Sequence, residues 1–199
     1  MQRIEVQQFV KNILAPVDNT GRFHMENIKI ACDIVYSQWL SRIDDALVGD
    51  LDLFAKEYTS QTVTLDATRN LYYSTLPTPI VPIPGITSGI RRINTDEGLD
   101  LDFAPITEQE INLMDGSVTH TTDTTIYYWL QGSTIWYNES MTSDIATAGV
   151  RIAVLPRFSG FATTDSINIP GAADMDFISA VIQLLAPTAP VNLKANNAN

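Results

Sequence analysis

The sequence predicts an α+β fold in one structural domain, with helices near both ends and a β-rich middle. Residues 1–58 read as a helical region because apolar residues recur there at spacings of three and four. Residues 59–171 are rich in Thr, Val, Tyr and Pro, which favours strands and extended chain. Residues 172–199 contain one more helix and an extended tail. We expect the helices to pack on a mostly antiparallel sheet or a partial barrel.

The helical region is expected to contain two main helices. The first covers residues 3–15 and ends at Pro16, because proline cannot continue a helix without losing a hydrogen bond. The second runs from about residue 25 to residue 48. Its apolar stripe consists of Ile28, Ala31, Val35, Trp39, Ile43 and Leu47. We expect another helical turn or two over residues 51–58.

The β-rich region begins with two predicted strands, at residues 61–66 and 69–75. The proline-rich run at residues 76–85 cannot be a helix or a central strand, because proline fixes φ and lacks an amide donor. We expect this run to lie extended along a sheet edge, close to polyproline II. Further extended segments are predicted at residues 89–94, 99–105 and 150–155.

The most informative segment is an aromatic hairpin over residues 126–137. Gly132-Ser133 suits a two-residue type II′ turn, which needs a positive φ at its first position. The facing pairs are then Leu130–Ile135, Trp129–Trp136 and Tyr128–Tyr137. Because side chains alternate across a strand, both faces of the hairpin are apolar or aromatic. Each face should therefore be covered, and in a chain of this size one cover can come from another subunit.

Three roles stay open for the facing pair Trp129 and Trp136. The two rings can belong to the core, or they can form a subunit contact, where large aromatic side chains supply much of the binding energy. They can also serve as a platform on which sugar rings stack.

Two more helices complete the prediction. Thr107 and Glu110 have the spacing of a capping box, which predicts a short helix through Met114. A polar loop over residues 158–169 precedes a helix over residues 172–186. The tail after that helix has no capacity to form a core of its own, so it either stays free or docks on a partner.

The chain is acidic, with 12 basic and 23 acidic residues and a formal net charge of −11. This balance argues against binding to nucleic acid or anionic lipid, which requires clustered Lys and Arg. It is compatible with an acidic wall beside passing DNA, although the charge by itself favours solubility alone as the explanation. The single cysteine, Cys32, is expected to be a small core residue. We predict no secretory signal and no membrane span.

The sequence predicts no catalytic, cofactor or metal site. The two histidines, His24 and His120, lie outside metal-binding motifs, and we find no nucleophile elbow, phosphate-binding loop or dinucleotide fingerprint. Asp100 and Asp102 would share a strand face, and the favoured interpretation is a solvated acidic edge that blocks strand-to-strand aggregation; calcium binding is the alternative.

Several segments carry a family resemblance that covers most of the chain. They are the helical N-terminus, Leu76-Pro77 with the proline-rich run, residues 89–93, residues 128–137, residues 154–157, residues 165–170, the closing helix and the Asn-rich tail. Their order resembles the head–tail connector or neck ring proteins of tailed bacteriophages, including crAss-like phages. The tail here contains Lys194 and few acids, whereas an acidic end is typical of that family.

The resemblance implies a structural virion protein rather than an enzyme, made in the host cytoplasm and located at the head–tail junction. It implies a homo-oligomeric ring, commonly of about twelve copies, around the DNA channel. The implied partners are the portal protein and other neck or tail proteins. DNA passes nearby without sequence-specific binding, and no cofactor or membrane is involved.

The predicted contact residues for neighbouring subunits and partners come from four segments. They are Tyr127, Trp129, Trp136 and Tyr137 of the hairpin, Arg91 and Arg92, Pro79 and Pro82, and Pro187, Pro190 and Leu193 near the C-terminus. The two arginines could pair with acidic groups of a neighbour, or form a simple surface pair that contributes little.

Three rival functions remain at this stage. The first is a carbohydrate-binding module with Trp129, Trp136 and Tyr127 as its platform. The second is a hydrolase that uses Glu108 or Glu110. The third is a tail or baseplate structural protein away from the portal.

Overall fold

The computed structural model of the chain describes residues 1–18, 21, 23–42, 51–83, 89–97, 101–107, 110, 125–138, 140–169 and 174–187. These residues form four α-helices and eight β-strands, which confirms the predicted α+β class. The chain divides into a terminal unit, Met1–Phe54 with Pro156–Asn199, and a central unit, Ala55–Leu155. The strands described here form two open sheets and no closed barrel.

The terminal unit contains three of the helices. Helix α1 spans Arg3–Leu14 and helix α2 spans Met25–Leu40. Helix α1 agrees closely with the sequence prediction. Helix α2 begins where it was predicted but ends at Leu40, with Ser41 as its C-cap; residues 43–48 of the predicted extension lie outside the described residues. A 3-10 turn, Ala15–Val17, follows α1 and contains the proline expected to end it.

The helix predicted over residues 51–58 is correct only in part. Residues 51–54 form a 3-10 turn, but strand β1, Lys56–Gln61, occupies the rest. This strand pairs, with an irregularity between Tyr58 and Gln61, with a strand that lies almost a hundred positions later in the chain. Pairing of that range is set by tertiary contacts and leaves little signal in the local sequence.

Aromatic side chains form the centre of the terminal unit. Tyr36 of α2 makes edge-on contacts with Phe158, Phe161 and Phe177. Phe177 belongs to the last helix, which spans Asp174–Leu185 and is numbered α4 below. The prediction of a polar loop over residues 158–169 is therefore wrong in character, because its apolar residues, Phe158, Phe161, Ile167 and Ile169, are buried.

The N-terminus is tied to this irregular segment by hydrogen bonds. The Arg3 guanidinium donates to the carbonyl of Ser159 at 2.9 Å and to that of Phe161. The Arg3 amide donates to the Asp165 carbonyl at 3.1 Å, and the Ile167 amide donates to the Met1 carbonyl at 3.1 Å. Segments from the two ends of the chain thus share one core and one set of backbone bonds.

The central unit is built from two sheets. The remaining strands are β2 Thr64–Asp66, β3 Leu71–Thr75, β4 Ile90–Thr95, β5 Asp102–Pro105, β6 Thr125–Gln131, β7 Thr134–Tyr137 and β8 Val150–Val154. One sheet has the order β1-β8-β4 and is antiparallel throughout. The other has the order β2-β3-β7-β6-β5 and is antiparallel except for the parallel pair β5–β6.

A single hydrophobic core joins the two sheets of the central unit. Ile93 and Ile152 come from the first sheet, and Ile126, Tyr128 and Ile135 from the second. The alternate residues of each strand point away from this core. Each sheet therefore has an inner, apolar face and an outer face.

Two short elements accompany the sheets. Helix α3, Ser143–Ala148, was not predicted; Thr142 caps it by accepting a hydrogen bond from the Ile145 amide. The capping box is confirmed, because the Glu110 carboxylate accepts bonds from the Thr107 amide at 2.8 Å and the Thr107 hydroxyl at 2.7 Å. The helix predicted to follow it lies outside the described residues. None of the helices that the structure describes is both long and apolar enough to cross a membrane.

Candidate interaction surface

The aromatic hairpin folds in the predicted register. Strands β6 and β7 pair Trp129 with Trp136, and the pairs on either side match as well. Gly132 has a φ of 64° and Ser133 does not have a positive φ, as a type II′ turn requires. The sequence alone was sufficient here because the turn and both strands are local.

The outer face of the five-stranded sheet carries a row of aromatic rings. Trp136 lies between Trp129 of β6 and Tyr73 of β3, its partners in the two neighbouring strands. Tyr127 follows on the same face of β6, with Ala104 of β5 beside it. Trp129, Tyr73 and Tyr127 are half-buried, so each keeps part of its ring at the surface. We call Tyr73, Tyr127, Trp129 and Trp136 the aromatic row.

Trp136 is covered by its own chain. The Tyr73 ring centre lies 5.2 Å from that of Trp136, and the Arg69 guanidinium lies 4.5 Å from the Trp136 ring centre. Arg69 is held in place because its Nη1 also donates to Gln131 Oε1 at 3.3 Å. Only 7% of Trp136 remains exposed. The outer apolar face of the hairpin is thus partly covered by residues of the same copy.

Tyr137 lies on the opposite, inner face. It is fully buried, and its hydroxyl is 2.7 Å from the Ser74 hydroxyl. Burial raises the pKa of Tyr137, because the phenolate form would lose its hydration. Its position leaves no surface for another subunit, so the contact predicted for the hairpin now depends on Tyr127 and Trp129.

The described part of the proline-rich run, residues 76–83, bends at Pro77 and Thr78 and is anchored by its backbone. The Leu76 amide donates to the Ser133 carbonyl at 2.8 Å, and the Val81 amide donates to the Leu155 carbonyl at 2.8 Å. Val81 is fully buried, whereas Pro79 and Pro82 are exposed. Two of the predicted contact residues are therefore presented at the surface by a segment that is fixed at two points.

The two adjacent arginines lie in β4 and have different surroundings. Arg92 is exposed and forms an ion pair with Glu57 of β1 at 3.1 Å. Arg91 occupies the irregular position of the β4–β8 pairing, and its charge lowers the pKa of Tyr128, against the larger effect of burial, which raises that pKa to about 12. The ion pair of Arg92 within its own chain agrees with the surface-pair alternative and does not test a contact with a neighbour.

A charged network continues across the outer face of the three-stranded sheet. Arg151 of β8 lies 3.5 Å from Glu57 and 3.5 Å from Asp96. Asp96 also accepts a hydrogen bond from the Ser60 amide at 2.6 Å, where Ser60 has a positive φ of 54°. Hydrogen bonds from Ser60, and then from Arg151, lower the pKa of the Asp96 carboxyl. The network holds the irregular end of the edge strand β1 in place.

The other candidate residues of the sequence fall in separate places. Pro187 is exposed just after α4, and Asp102 is exposed on β5. Among the residues that the structure describes, no group of three His, Cys, Asp or Glu side chains could hold a metal ion. Outside the described residues lie Pro190, Leu193, Asp100, Glu108 and His120.

Glu110 has an environment opposite to that of a catalytic acid. Its carboxylate accepts the hydrogen bonds of the capping box, and these bonds to Thr107 lower its pKa. A general acid needs a raised pKa so that it keeps its proton near neutral pH. The geometry of Glu110 therefore indicates a structural role in the capping box with Thr107.

Comparison of the chain with protein-family models and with curated proteins gives no match.

The sequence analysis missed Tyr73, a member of the aromatic row, and Arg69, which covers Trp136. Tyr73 lies in a predicted strand, and its place beside Trp136 depends on how β3 pairs with β7. Arg69 lies in the turn before β3, where Asp66 accepts bonds from the Thr68 and Arg69 amides. The Asp66-x-Thr68-Arg69 spacing is a recognisable turn signal, but it does not reveal which ring the guanidinium will cover.

Proposed function

We propose that this chain is a structural subunit of the head–tail connector of a tailed bacteriophage. Identical copies form a ring between the portal and tail components, and DNA passes through the ring. The proposal begins from the family resemblance in the sequence. One structural observation supports it further: segments that carry the resemblance, though far apart in the chain, meet through backbone hydrogen bonds.

Those contacts are specific. Leu76, which opens the proline-rich run, bonds to Ser133 in the hairpin turn. Val81 of the same run donates to the Leu155 carbonyl, and the Leu155 amide donates to the Gly89 carbonyl at 2.8 Å. The proline-rich run, the Gly89 segment, the hairpin and the segment after β8 thus form one frame. A resemblance carried by a structural frame rather than by a cluster of reactive residues is the kind expected for an architectural protein.

The surface of the central unit also suits assembly. No charged residue occurs from Leu76 to Ile90 or from Thr124 to Asn138, although the whole chain carries a net charge of −11. Copies with a like charge repel each other, so they associate most readily through uncharged surfaces. Both uncharged segments contribute exposed or half-buried apolar groups to the surface.

The carbohydrate-binding rival is less compatible with the geometry. A sugar platform needs open ring faces, but Trp136 is buried beneath Arg69 and against Tyr73. Trp129 and Tyr127 would remain as half-buried rings. Arrangements of this kind are typical of packing between protein layers.

The test is the copy number of the chain in virions of a phage that encodes it. Quantitative mass spectrometry with isotope-labelled peptides would compare this chain with the portal protein, and the major capsid protein would serve as the internal control. We expect a number of copies similar to that of the portal. Absence from purified virions, or only one or two copies per particle, would overturn the proposal. A tail or baseplate location would appear as copies that remain with isolated tails after the necks are removed.

A further inference from the structure

We propose that the Thr59–Ser60 peptide of strand β1 closes the free edge of the three-stranded sheet to strand addition by another copy. This role goes beyond the proposed function and does not depend on it, because any protein with a free strand edge is exposed to such pairing at high concentration. It is supported by the direction of the backbone groups at the edge, by a bulge, by the bond that fixes the bulge and by a side chain that occupies the outward carbonyl.

Strand β1 has a free edge within the part of the chain that the structure describes. It stands at the end of the order β1-β8-β4, so β8 is the one described strand beside it. From Tyr58 to Leu65 the chain has no charged residue and is rich in Thr and Val, a composition that favours pairing between strands. A regular strand at this edge would therefore readily accept a strand of another molecule.

The pairing shows which backbone groups point to the free edge. Successive residues of β8 bond alternately to its two neighbours. The Leu155 amide donates to the Gly89 carbonyl, on the β4 side. Ile152, three positions earlier, therefore points its backbone groups toward β1, where Tyr58 is its partner. Thr59 follows Tyr58 and has the opposite direction, so its backbone groups point to the free edge.

A β-bulge interrupts β1 at this position. The register with β8 shifts between Tyr58 and Gln61, so that Thr59 and Ser60 both lie opposite Arg151. Ser60 has a φ of 54°, a left-handed conformation that is uncommon for a residue with a side chain. A bulge bends its strand and increases the twist, so the edge no longer matches a straight partner.

Asp96 fixes the bulge from the side of the sheet. Its carboxylate follows β4, on the far side of β8, and accepts a hydrogen bond from the Ser60 amide at 2.6 Å. Gly149 lies beside this bond, because a Cβ on it would contact both Ser60 and Asp96. In a trans peptide the carbonyl and the amide point in opposite directions. The Thr59 carbonyl therefore points away from Asp96, which agrees with its direction in the strand pairing.

The side chain of Gln61 occupies that outward carbonyl. Its Nε2 donates to the Thr59 carbonyl at 2.8 Å, where the amide of an added strand would otherwise bond. Glu57, the other residue of β1 that alternates outward, is charged and exposed, and its carboxylate is paired with Arg92 and Arg151. A strand that approached β1 would meet a bent backbone, an occupied acceptor and a charged residue.

Deletion of Ser60 tests the role of the bulge directly. The shortened strand keeps its β8 partners before and after the bulge and leaves only Thr59 opposite Arg151. Because the edge is then regular, we expect self-association at a several-fold lower concentration than in the natural chain, measured by sedimentation velocity over a concentration series. Hydrogen exchange over residues 56–61, followed by mass spectrometry, should slow as the variant associates, because an added strand would bond to the outward amides.

Gln61→Leu tests the occupied carbonyl without changing the length of the chain. Leucine is similar in size but has no amide, so the Thr59 carbonyl becomes available and we expect a smaller increase in self-association. The matched control is Gln8→Leu, which makes the same chemical change at an exposed position of helix α1. This control should sediment like the natural chain. Circular dichroism shows whether each variant keeps its fold.

Several results would overturn the inference. One is a folded deletion variant that associates no more readily than the natural chain. Another is association without slower exchange over residues 56–61, and a third is an equal increase in Gln8→Leu. If the deletion variant does not fold, Gln61→Leu decides alone, and sedimentation identical to that of the natural chain then refutes the role of the edge. The copy number in virions tests the connector proposal separately.

Discussion

Ser74 and Tyr137 bury their hydroxyl groups against each other in the core of the central unit, 2.7 Å apart. Removing one partner leaves the other hydroxyl buried without a hydrogen bond, which costs more than the bond itself contributes. We expect Ser74→Ala or Tyr137→Phe alone to lower the free energy of unfolding by about 1–3 kcal/mol. The double variant should lose less than the sum of the two. Urea unfolding followed by circular dichroism measures all four proteins, and strictly additive losses would show that the hydroxyls do not interact.

Asp96 makes the edge of the three-stranded sheet sensitive to acid. In the folded state the pKa of Asp96 lies below its ordinary value of 3.8, chiefly because of hydrogen bonds from Ser60 and then because of Arg151. A lowered folded pKa gives a stabilisation that is complete above the unfolded pKa and is lost as the pH falls through the folded pKa. We expect the free energy of unfolding to decrease below about pH 4, and to decrease less steeply in Asp96→Asn.

Glu110→Gln is a second test of the same effect, because Glu110 also has a lowered pKa, which it owes to the capping box. Each substitution should remove its own share of the acid sensitivity. Urea unfolding measured at a series of pH values below neutrality gives the slopes. An unchanged slope in Asp96→Asn would contradict the role given to Ser60 and Arg151.

At the scale of elements, Gly132 and Gly89 are needed for different reasons. Both have a positive φ, but only at Gly89 is there also no room for a Cβ. Gly132 in the hairpin turn has a φ of 64°, but a Cβ there would contact nothing within 4 Å. Gly89, before β4, has a φ of 92°, and a Cβ there would overlap the backbone carbonyl oxygen of Val81. Gly132→Ala should therefore cost only the strain of the backbone, about 1–3 kcal/mol.

Gly89→Ala should cost more than Gly132→Ala, because the proline-rich run would have to move away from β4. Thermal unfolding of both variants gives the comparison, with Gly132→Asn as a control that tolerates positive φ better than alanine does. Equal losses of thermal stability in the Gly89 and Gly132 variants would mean that the proline-rich run moves away from β4 at Val81 with little energetic cost.

The elements that the sequence predicted well are those whose signals are local. Helix α1, the hairpin with its register, and the capping box at Thr107 each depend on residues a few positions apart. Strand β1 was partly mistaken for helix because its partner β8 is distant. The burial of Phe158 and Phe161 was missed because an irregular segment has no periodicity to read.

The candidate surface was likewise predictable only where its signals are local in the sequence. The sequence indicated Trp129, Tyr127 and the exposed prolines, since alternation and proline chemistry are readable locally. It could not indicate that Arg69 would cover Trp136, because that contact depends on the pairing of three strands and on a turn. Predicting which rings remain open needs the tertiary fold.

At the scale of the whole molecule, the terminal unit should open when α4 is removed. Phe177 and Val181 of this helix are fully buried in the terminal unit, and Phe177 contacts Tyr36 of α2. Cys32 lies on the same helix α2, where burial, and then the charge of Asp33, raises the pKa of its thiol to about 12. We expect a chain truncated after Ile169 to expose Cys32 to a thiol reagent.

The matched control is truncation after Pro187, which keeps α4. In that protein Cys32 should react as slowly as in the full chain. Labelling with an aromatic disulfide reagent under native conditions gives the rates, and labelling in urea gives the limit for the open form. Slow labelling after truncation at Ile169 would show that α1 and α2 protect Cys32 without α4.

The shared hydrogen bonds of the two chain ends have a consequence for synthesis on the ribosome. Helices α1 and α2 are translated before the central unit, but the residues that complete their core, from Phe158 to Ile182, are translated after it. The central unit, which is continuous in the chain, can finish folding in the interval. A nascent chain stalled before Pro156 should thus carry a folded β-rich module behind two helices that still await their partner, and chaperones that bind exposed apolar helices would act during that interval.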